Sequence, residues 1–215
     1  MLRQVKPEKL DTLDPKDPDA IASRRDLIRI NQLMGNFRWF ESIFCQQCVA
    51  RHHCLELGAG CGELAKRIIH KGCCATYTAV DRAPAPDDWP HTAYWWRGDL
   101  FQYAGYATAE VLLANLVLHH FKDSALREIG QKIAKSSIHK IVANEPCRRP
   151  IHQWQLAAGK LIGFNEVTLH DGAISIDAGF RGDELPHLLG LNPDIWYWKI
   201  DETWIGAYRM VAERR

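Results

Sequence analysis

No uninterrupted apolar run in this sequence approaches the roughly 18 residues that cross a bilayer. The longest, around Val111 to Leu118, has the length of a buried strand, so no membrane span is expected. Neither sign of charge is in excess: 27 lysines and arginines stand against 26 aspartates and glutamates. A chain so balanced has no broad field to attract a phosphate backbone or an anionic lipid surface, and nucleic acid is not an expected partner. No positively charged start leads into an apolar export segment. The seven cysteines (Cys45, Cys48, Cys54, Cys61, Cys73, Cys74, Cys147) are odd in number, which points to a reducing cytoplasm rather than a disulfide framework. Cys45, Cys48, His52, His53 and Cys54 lack the matching second pair of a zinc site, and no metal is expected. Internal repeats and low-complexity tracts are missing as well.

What the chain does have is 215 residues, 47% of them hydrophobic, enough to bury one continuous α/β core. Residues 1–50 read as an arm and a helical cover, and residues 51–215 as the main domain. The charged, proline-containing stretch from Met1 to about Asp19 predicts a loosely held arm. Ala20 to Met34 has helical spacing of Ile21, Leu27, Ile28, Ile30 and Leu33 and ends at Gly35-Asn36. A second helix runs from Phe37 to about Val49, with Phe40, Ile43 and Phe44 on one face.

Short apolar runs then alternate with helical segments. Strands are expected at Cys54 to Leu57, Thr76 to Val80, Tyr94 to Trp96, Val111 to Val117 and His139 to Asn144. Helices are expected at Glu63 to Lys71, Asp123 to Lys135 (with Asp123 as its cap) and Ile151 to about Leu161. This βα alternation predicts a doubly wound, mostly parallel sheet. Ile195 to Trp204 and Ala207 to Glu213, broken at Gly206, read as a closing antiparallel hairpin.

The strongest local signal is Leu55-Glu56-Leu57-Gly58-Ala59-Gly60-Cys61-Gly62-Glu63-Leu64, where a buried strand passes through a glycine turn straight into a helix. Alternate glycines let backbone approach a ligand without Cβ atoms in the way. A dinucleotide loop has the spacing G-x-G-x-x-G and seats a pyrophosphate on the helix N-terminus. Here the third glycine comes one residue early, at Gly62, and Glu63 puts a negative charge where that phosphate would lie. The turn therefore suits a nucleoside without phosphates. The next strand ends at Asp81, whose carboxylate can accept both hydroxyls of a ribose. The third leads to Gly98-Asp99-Leu100 and the fourth to Asn115-Leu116-Val117-Leu118-His119-His120-Phe121, all at the sheet edge where open α/β sheets bind ligands.

With these four motifs in order, from Cys54 to Pro146, the chain resembles the class I S-adenosylmethionine-dependent methyltransferases. The resemblance implies a Rossmann-like sheet of seven strands with an antiparallel last strand, and S-adenosylmethionine as cofactor. It would place Glu56, Gly58, Ala59, Gly60 and Gly62 around the methionine portion and Asp81 on the ribose. Asp99 and Leu100 would hold the adenine, Arg82 would cover it, and Asn115 or Leu116 would contact the methionine end through backbone. The segment Ser23 to Asn36 also resembles small bacterial methyltransferases associated with polyketide-type biosynthesis. This implies a small-molecule acceptor, phenolic or lipophilic, methylated on oxygen.

Methyl transfer is an in-line displacement at a sulfonium, so a protein mainly positions the reactants and, where needed, accepts a proton. His119, His120 and Glu145 are the candidate bases, against the plainer reading that they hold loops. His170, Asp171 and Arg181, between the fifth strand and the hairpin, read as ordinary loop residues. The eight tryptophans read as edge-strand packing ahead of an aromatic pocket. Competing functions are a nucleic-acid or protein methyltransferase, a nicotinamide-dependent oxidoreductase, and a cofactor-binding domain without turnover.

Overall fold

The computed structural model describes residues 1–14, 16–46 and 51–215, with the final two residues of the second segment described by backbone only. Two helices, α1 (Pro18–Leu33) and α2 (Asn36–Gln46), precede a sheet whose strands alternate with helices: β1 (His53–Leu57), α3 (Glu63–His70), β2 (Thr76–Asp81), β3 (Tyr94–Arg97), β4 (Val111–Asn115), α4 (Asp123–Ala134) and β5 (Lys140–Pro146). Then come α5 (Pro150–Ala158), α6 (Glu166–Ala178), α7 (Glu184–Leu188), β6 (Trp196–Glu202) and β7 (Ala207–Arg214). The end of the second expected helix, near Val49, lies outside the described residues, as does Cys48.

The seven strands run in the order β3-β2-β1-β4-β5-β7-β6. β1 to β5 are parallel, and β7 inserts antiparallel between β5 and β6. This is the expected doubly wound sheet with an antiparallel last strand. Leu57 pairs with Val80 on one side and Ala114 on the other, so β1, β2 and β4 end level and release their loops into one crevice. β1, β4 and β5 are buried along almost their whole length, which is why they read as continuous apolar runs. One core layer packs around Leu55, Leu112, Ile129, Ile141 and Tyr208; the other, around Phe40, Phe44, Ile68 and Tyr77, lies beneath α2 and α3.

Four expectations change. The N-terminal arm is not loosely held: Arg3 donates to the carbonyls of Ala178, His119 and Phe121 and pairs with Asp123 at 2.8 Å, Gln4 N–H donates to Asp177, and Glu8 is buried. Arm charges that suggested solvation are spent on protein partners. α1 turns a polar face inward: Ser23, Asp26 and Asn31 are buried, while Ile21, Leu27 and Leu33 are exposed. Asp26 accepts from the backbone N–H of Asn165 (2.7 Å) and from Thr168, tying α1 to α6. Asp123 does not cap α4; Lys122 stands at that position and the Asp123 carboxylate pairs with Arg3 instead. Finally, the stretch after β5 read as loop holds α6 and α7.

Candidate functional site

The turn after β1 is built as the glycine spacing demands. Gly58, Gly60 and Gly62 all adopt positive φ (64°, 58° and 72°), the left-handed region that side chains disfavour. The three differ in what faces them. A Cβ on Gly58 would lie 2.4 Å from Val117, and one on Gly62 would lie 2.9 Å from Trp89, whereas one on Gly60 would meet nothing within 4 Å. Gly58 and Gly62 thus allow close packing beside the turn, and Gly60 opens onto free space.

Asp81, at the end of β2, reaches across to this opening. One carboxylate oxygen accepts from the Gly60 N–H at 2.7 Å and the other from the Ala83 N–H at 2.8 Å. Each oxygen has a second lone pair left. Arg82 and Asp99 stand 3.4 Å apart at the ends of β2 and β3, and the other oxygen of Asp99 accepts from the Phe101 N–H. Leu100 is 8% exposed and mostly committed to the core. Asp81 therefore faces the open side of the turn, and Arg82, next to it in the chain, pairs with Asp99 from the end of the neighbouring strand.

Glu56 sits elsewhere than the open face. It is 2% exposed, beneath the turn, and accepts a 2.8 Å bond from the hydroxyl of Tyr77. Burial pushes its carboxyl up to about 8. Its bond to Tyr77 ties β1 to β2 and does not reach the turn.

At the end of β4, Leu116 is the one described residue other than glycine with positive φ (57°), a strained conformation of the kind found at sites. Its N–H donates to the Asn144 carbonyl. Four asparagines surround this point. Asn144 donates to Asn115 (2.9 Å), Asn115 donates to Asn31 (3.1 Å), Asn36 also donates to Asn31 (3.1 Å), and Arg209 donates to Asn36 (3.3 Å). Asn31, Asn36, Asn144 and Arg209 were not singled out from the sequence. Asn31 and Asn36 lay within the N-terminal segment that carries the second resemblance, and their spacing was the available signal; Asn144 and Arg209 face each other across β5 and β7, which only strand pairing reveals.

The three candidate bases form one enclosed cluster. Glu145 is fully buried and accepts four bonds, from the N–H groups of Val117, Leu118 and His119 and from the His119 ring at 2.7 Å. With its acceptors filled it holds the turn after β4 and has no free pair for a substrate proton. Burial lowers the His119 imidazolium, but Glu145 and Glu8 beside it prevail and raise it to about 9, so at neutral pH this 2% exposed ring keeps its proton. His120 stands between Glu8 and Asp11, at 4.0 and 3.8 Å; burial and then the charge of His119 push it below its usual value. The expected base role thus gives way to a holding role for Glu145 and His119, because carboxylates meet both rings before any ligand does. Asp171 on α6 accepts from the Lys9 and Leu10 N–H groups and anchors the arm, while Arg181 is exposed. A groove of about 410 Å³ lies apart from the glycine turn, between α2 and the β6/β7 edge, and is lined by Trp39, Ile43, Lys199 and Arg209 among others.

A seven-stranded sheet in this order, with its antiparallel insertion and a glycine turn after β1 facing an acid after β2, has the Rossmann-like fold of the class I methyltransferases. Solved structures that share it include the plantazolicin methyltransferase BpumL in complex with SAH, with a TM-score of 0.67, 14% identity, and coverage of 93% of this chain and 92% of that one. BpumL with a pentazolic desmethylPZN analog and SAH gives a TM-score of 0.69 at 12% identity, covering 93% and 92%. The pyocyanin biosynthetic protein PhzM matches with a TM-score of 0.63 and 17% identity over 93% of this chain and 60% of its own. No protein-family model matches the sequence, and no curated protein does.

Proposed function

We propose that this chain is an S-adenosylmethionine-dependent methyltransferase acting on the oxygen of a small phenolic or lipophilic biosynthetic intermediate. The observation that carries the reading is the free space over Gly60 directly beside the Asp81 carboxylate. A nucleoside laid on the turn meets backbone at Gly58, Ala59, Gly60 and Gly62 and presents its ribose hydroxyls to the remaining lone pairs of Asp81. Asp99 takes the exocyclic amine of the adenine, the edge of Leu100 supports the ring, and Arg82 covers it. The backbone of Asn115 and Leu116 meets the methionine end. That BpumL, which shares this fold, is solved in complex with SAH supports S-adenosylmethionine as the donor.

Bound in this way, S-adenosylmethionine supplies an electrophilic methyl group on sulfur. The chain's own contribution is positioning, since holding two reactants in line can supply about 7–11 kcal/mol of the barrier. Substrate and donor meet over the ends of β4 and β5, where the asparagines and the α1/α2 corner lie. The acceptor class rests on the resemblance of Ser23 to Asn36, and the likeness to the plantazolicin methyltransferase BpumL and the pyocyanin biosynthetic protein PhzM is in keeping with it.

Two substitutions test the site. Asp81→Ala removes the acceptor of a charge-assisted bond and is expected to weaken S-adenosylhomocysteine binding by about 1.5–3 kcal/mol, read by calorimetry; unchanged affinity takes Asp81 out of the site. Gly60→Val fills the free space over the turn and is expected to abolish binding while circular dichroism still reports a folded domain. Normal binding by that variant would place the ligand elsewhere. A nicotinamide reading predicts the opposite ranking of NAD and S-adenosylhomocysteine in a thermal-shift comparison; Glu63 in the first turn of α3 disfavours the pyrophosphate of NAD.

A further inference from the structure

We infer that Glu8, His119 and His120 form a binding site for a divalent transition cation of the zinc type, which clasps the N-terminal arm to the end of β4. The sequence alone led to no expected metal and did not bring these three residues together.

Donor chemistry is the first ground. Each of the three residues offers one ligand atom, and all of these atoms lie within 4.8 Å of one another. The His119 Nε2 is 3.6 Å from one oxygen of Glu8, and the His120 Nε2 is 4.0 Å from the other. Zinc bonds to imidazole and carboxylate of about 2.0–2.2 Å require ligand separations of roughly 3.4 Å, so small rotations close the set. Two imidazoles and one carboxylate suit zinc, nickel or cobalt rather than calcium or magnesium, which favour oxygen throughout.

The orientation of the rings is the second ground. Both histidines turn Nδ1 toward a carboxylate, His119 to Glu145 at 2.7 Å and His120 to Asp11 at 3.8 Å. Both are thereby left with Nε2 directed at Glu8. A carboxylate on the far nitrogen is the arrangement that fixes the tautomer of metal-binding histidines and raises their basicity. His119 has it as a hydrogen bond to Glu145, while Asp11 faces His120 at the longer distance of a charge contact; the two rings lie 4.2 Å apart between centroids.

The burial of one of these donor atoms is the third ground. His119 Nε2 is sealed from solvent and makes no hydrogen bond among the described residues, although its ring is 2% exposed. Buried polar atoms without a partner are uncommon and mark a missing one. Glu8 faces it as an ion pair at 3.6 Å, longer than a hydrogen bond, and a cation that displaces the ring proton bonds to both. Three protein ligands leave the fourth position to water or to another oxygen ligand.

The test is titration of the full chain, first stripped with a chelator, with zinc chloride by calorimetry and with cobalt chloride by visible absorption. The expected result is one saturable equivalent per chain, with affinity reduced at least about tenfold in Glu8→Gln and in His120→Gln. Melting curves recorded in chelator check that both variants are folded, and a His119→Gln variant replaces either one that is not. Uptake that all variants retain, or cobalt spectra with thiolate bands showing that cysteines hold the ion, overturns the inference. So does the lack of saturable uptake by the folded parent chain. S-adenosylhomocysteine affinity, measured on the same stripped protein, reports on the cofactor turn separately.

Discussion

Glu145→Leu is expected to lower stability by about 3–5 kcal/mol, the cost of breaking a buried charged pair. For a chain of this size that moves the thermal midpoint down by roughly 6–20 °C. Leucine keeps apolar volume in a site with no solvent exposure but removes the acceptor of four hydrogen bonds. The N–H groups of Val117, Leu118 and His119 then lose their partner while remaining buried, at about 1–3 kcal/mol for each such group. The protonated His119 ring loses its 2.7 Å contact and faces Glu8 alone. Glu145→Gln, which retains one accepting oxygen, is expected to lose less. Melting by circular dichroism at neutral pH distinguishes the cases, and a midpoint for the leucine variant within about 2 °C of the parent would mean that Glu145 is not the support described.

Gly130→Ala sets local preference against packing. Gly130 lies inside α4, where alanine favours a helix by about 1 kcal/mol over glycine. A Cβ there would stand 1.8 Å from the carbonyl oxygen of Leu189, an atom of the main chain with no rotamer to escape into. The collision forces α4 away from α7 and opens the layer formed by Ile129, Ile133, Leu185 and Leu189. A clash this close with main chain puts the overpacking cost at about 3 kcal/mol, the upper end of the usual range, so after the helix gain a net loss of about 2 kcal/mol is expected and the midpoint falls by roughly 4–8 °C. Gln131→Ala, an exposed neighbour on the same helix, is the control and leaves the midpoint nearly unchanged. A stabilised Gly130→Ala variant would show that the two helices have room between them.

The parts of the fold that could be read from the chain are those in which burial and periodicity agree. β1, β4 and β5 are buried on both faces, and their apolar runs stand out against the polar helices between them. The glycine turn could be read because positive φ and close approach leave few residue choices. Polar burial hid the rest. α1 buries Ser23, Asp26 and Asn31 and exposes Ile21, Leu27 and Leu33, the reverse of the rule that apolar stripes face inward. α6 buries Thr168 and Asp171 alongside Ile176 and Ala178 and so lacks an apolar stripe. The arm was misread for the same reason: Arg3 and Glu8 resemble solvated charges until their partners, more than a hundred residues away, come into view. Asp81 could be placed from its position at the end of β2, whereas the enclosure of His119 depended on Glu8, a residue nothing nearby in sequence marks.

The asparagines between β4, β5 and the α1/α2 corner have a direction as well as a position. An amide can be turned end for end, but Arg209 carries donors only, and it faces the oxygen of Asn36. The Leu27 carbonyl can only accept, and it takes the amide N–H of Asn31. These two anchors outside the group orient every amide within it, since reversing any one would set donor against donor or acceptor against acceptor. The dipoles at the end of β4 are thus locked before a ligand arrives, and under the function proposed above none has to be turned during methyl transfer.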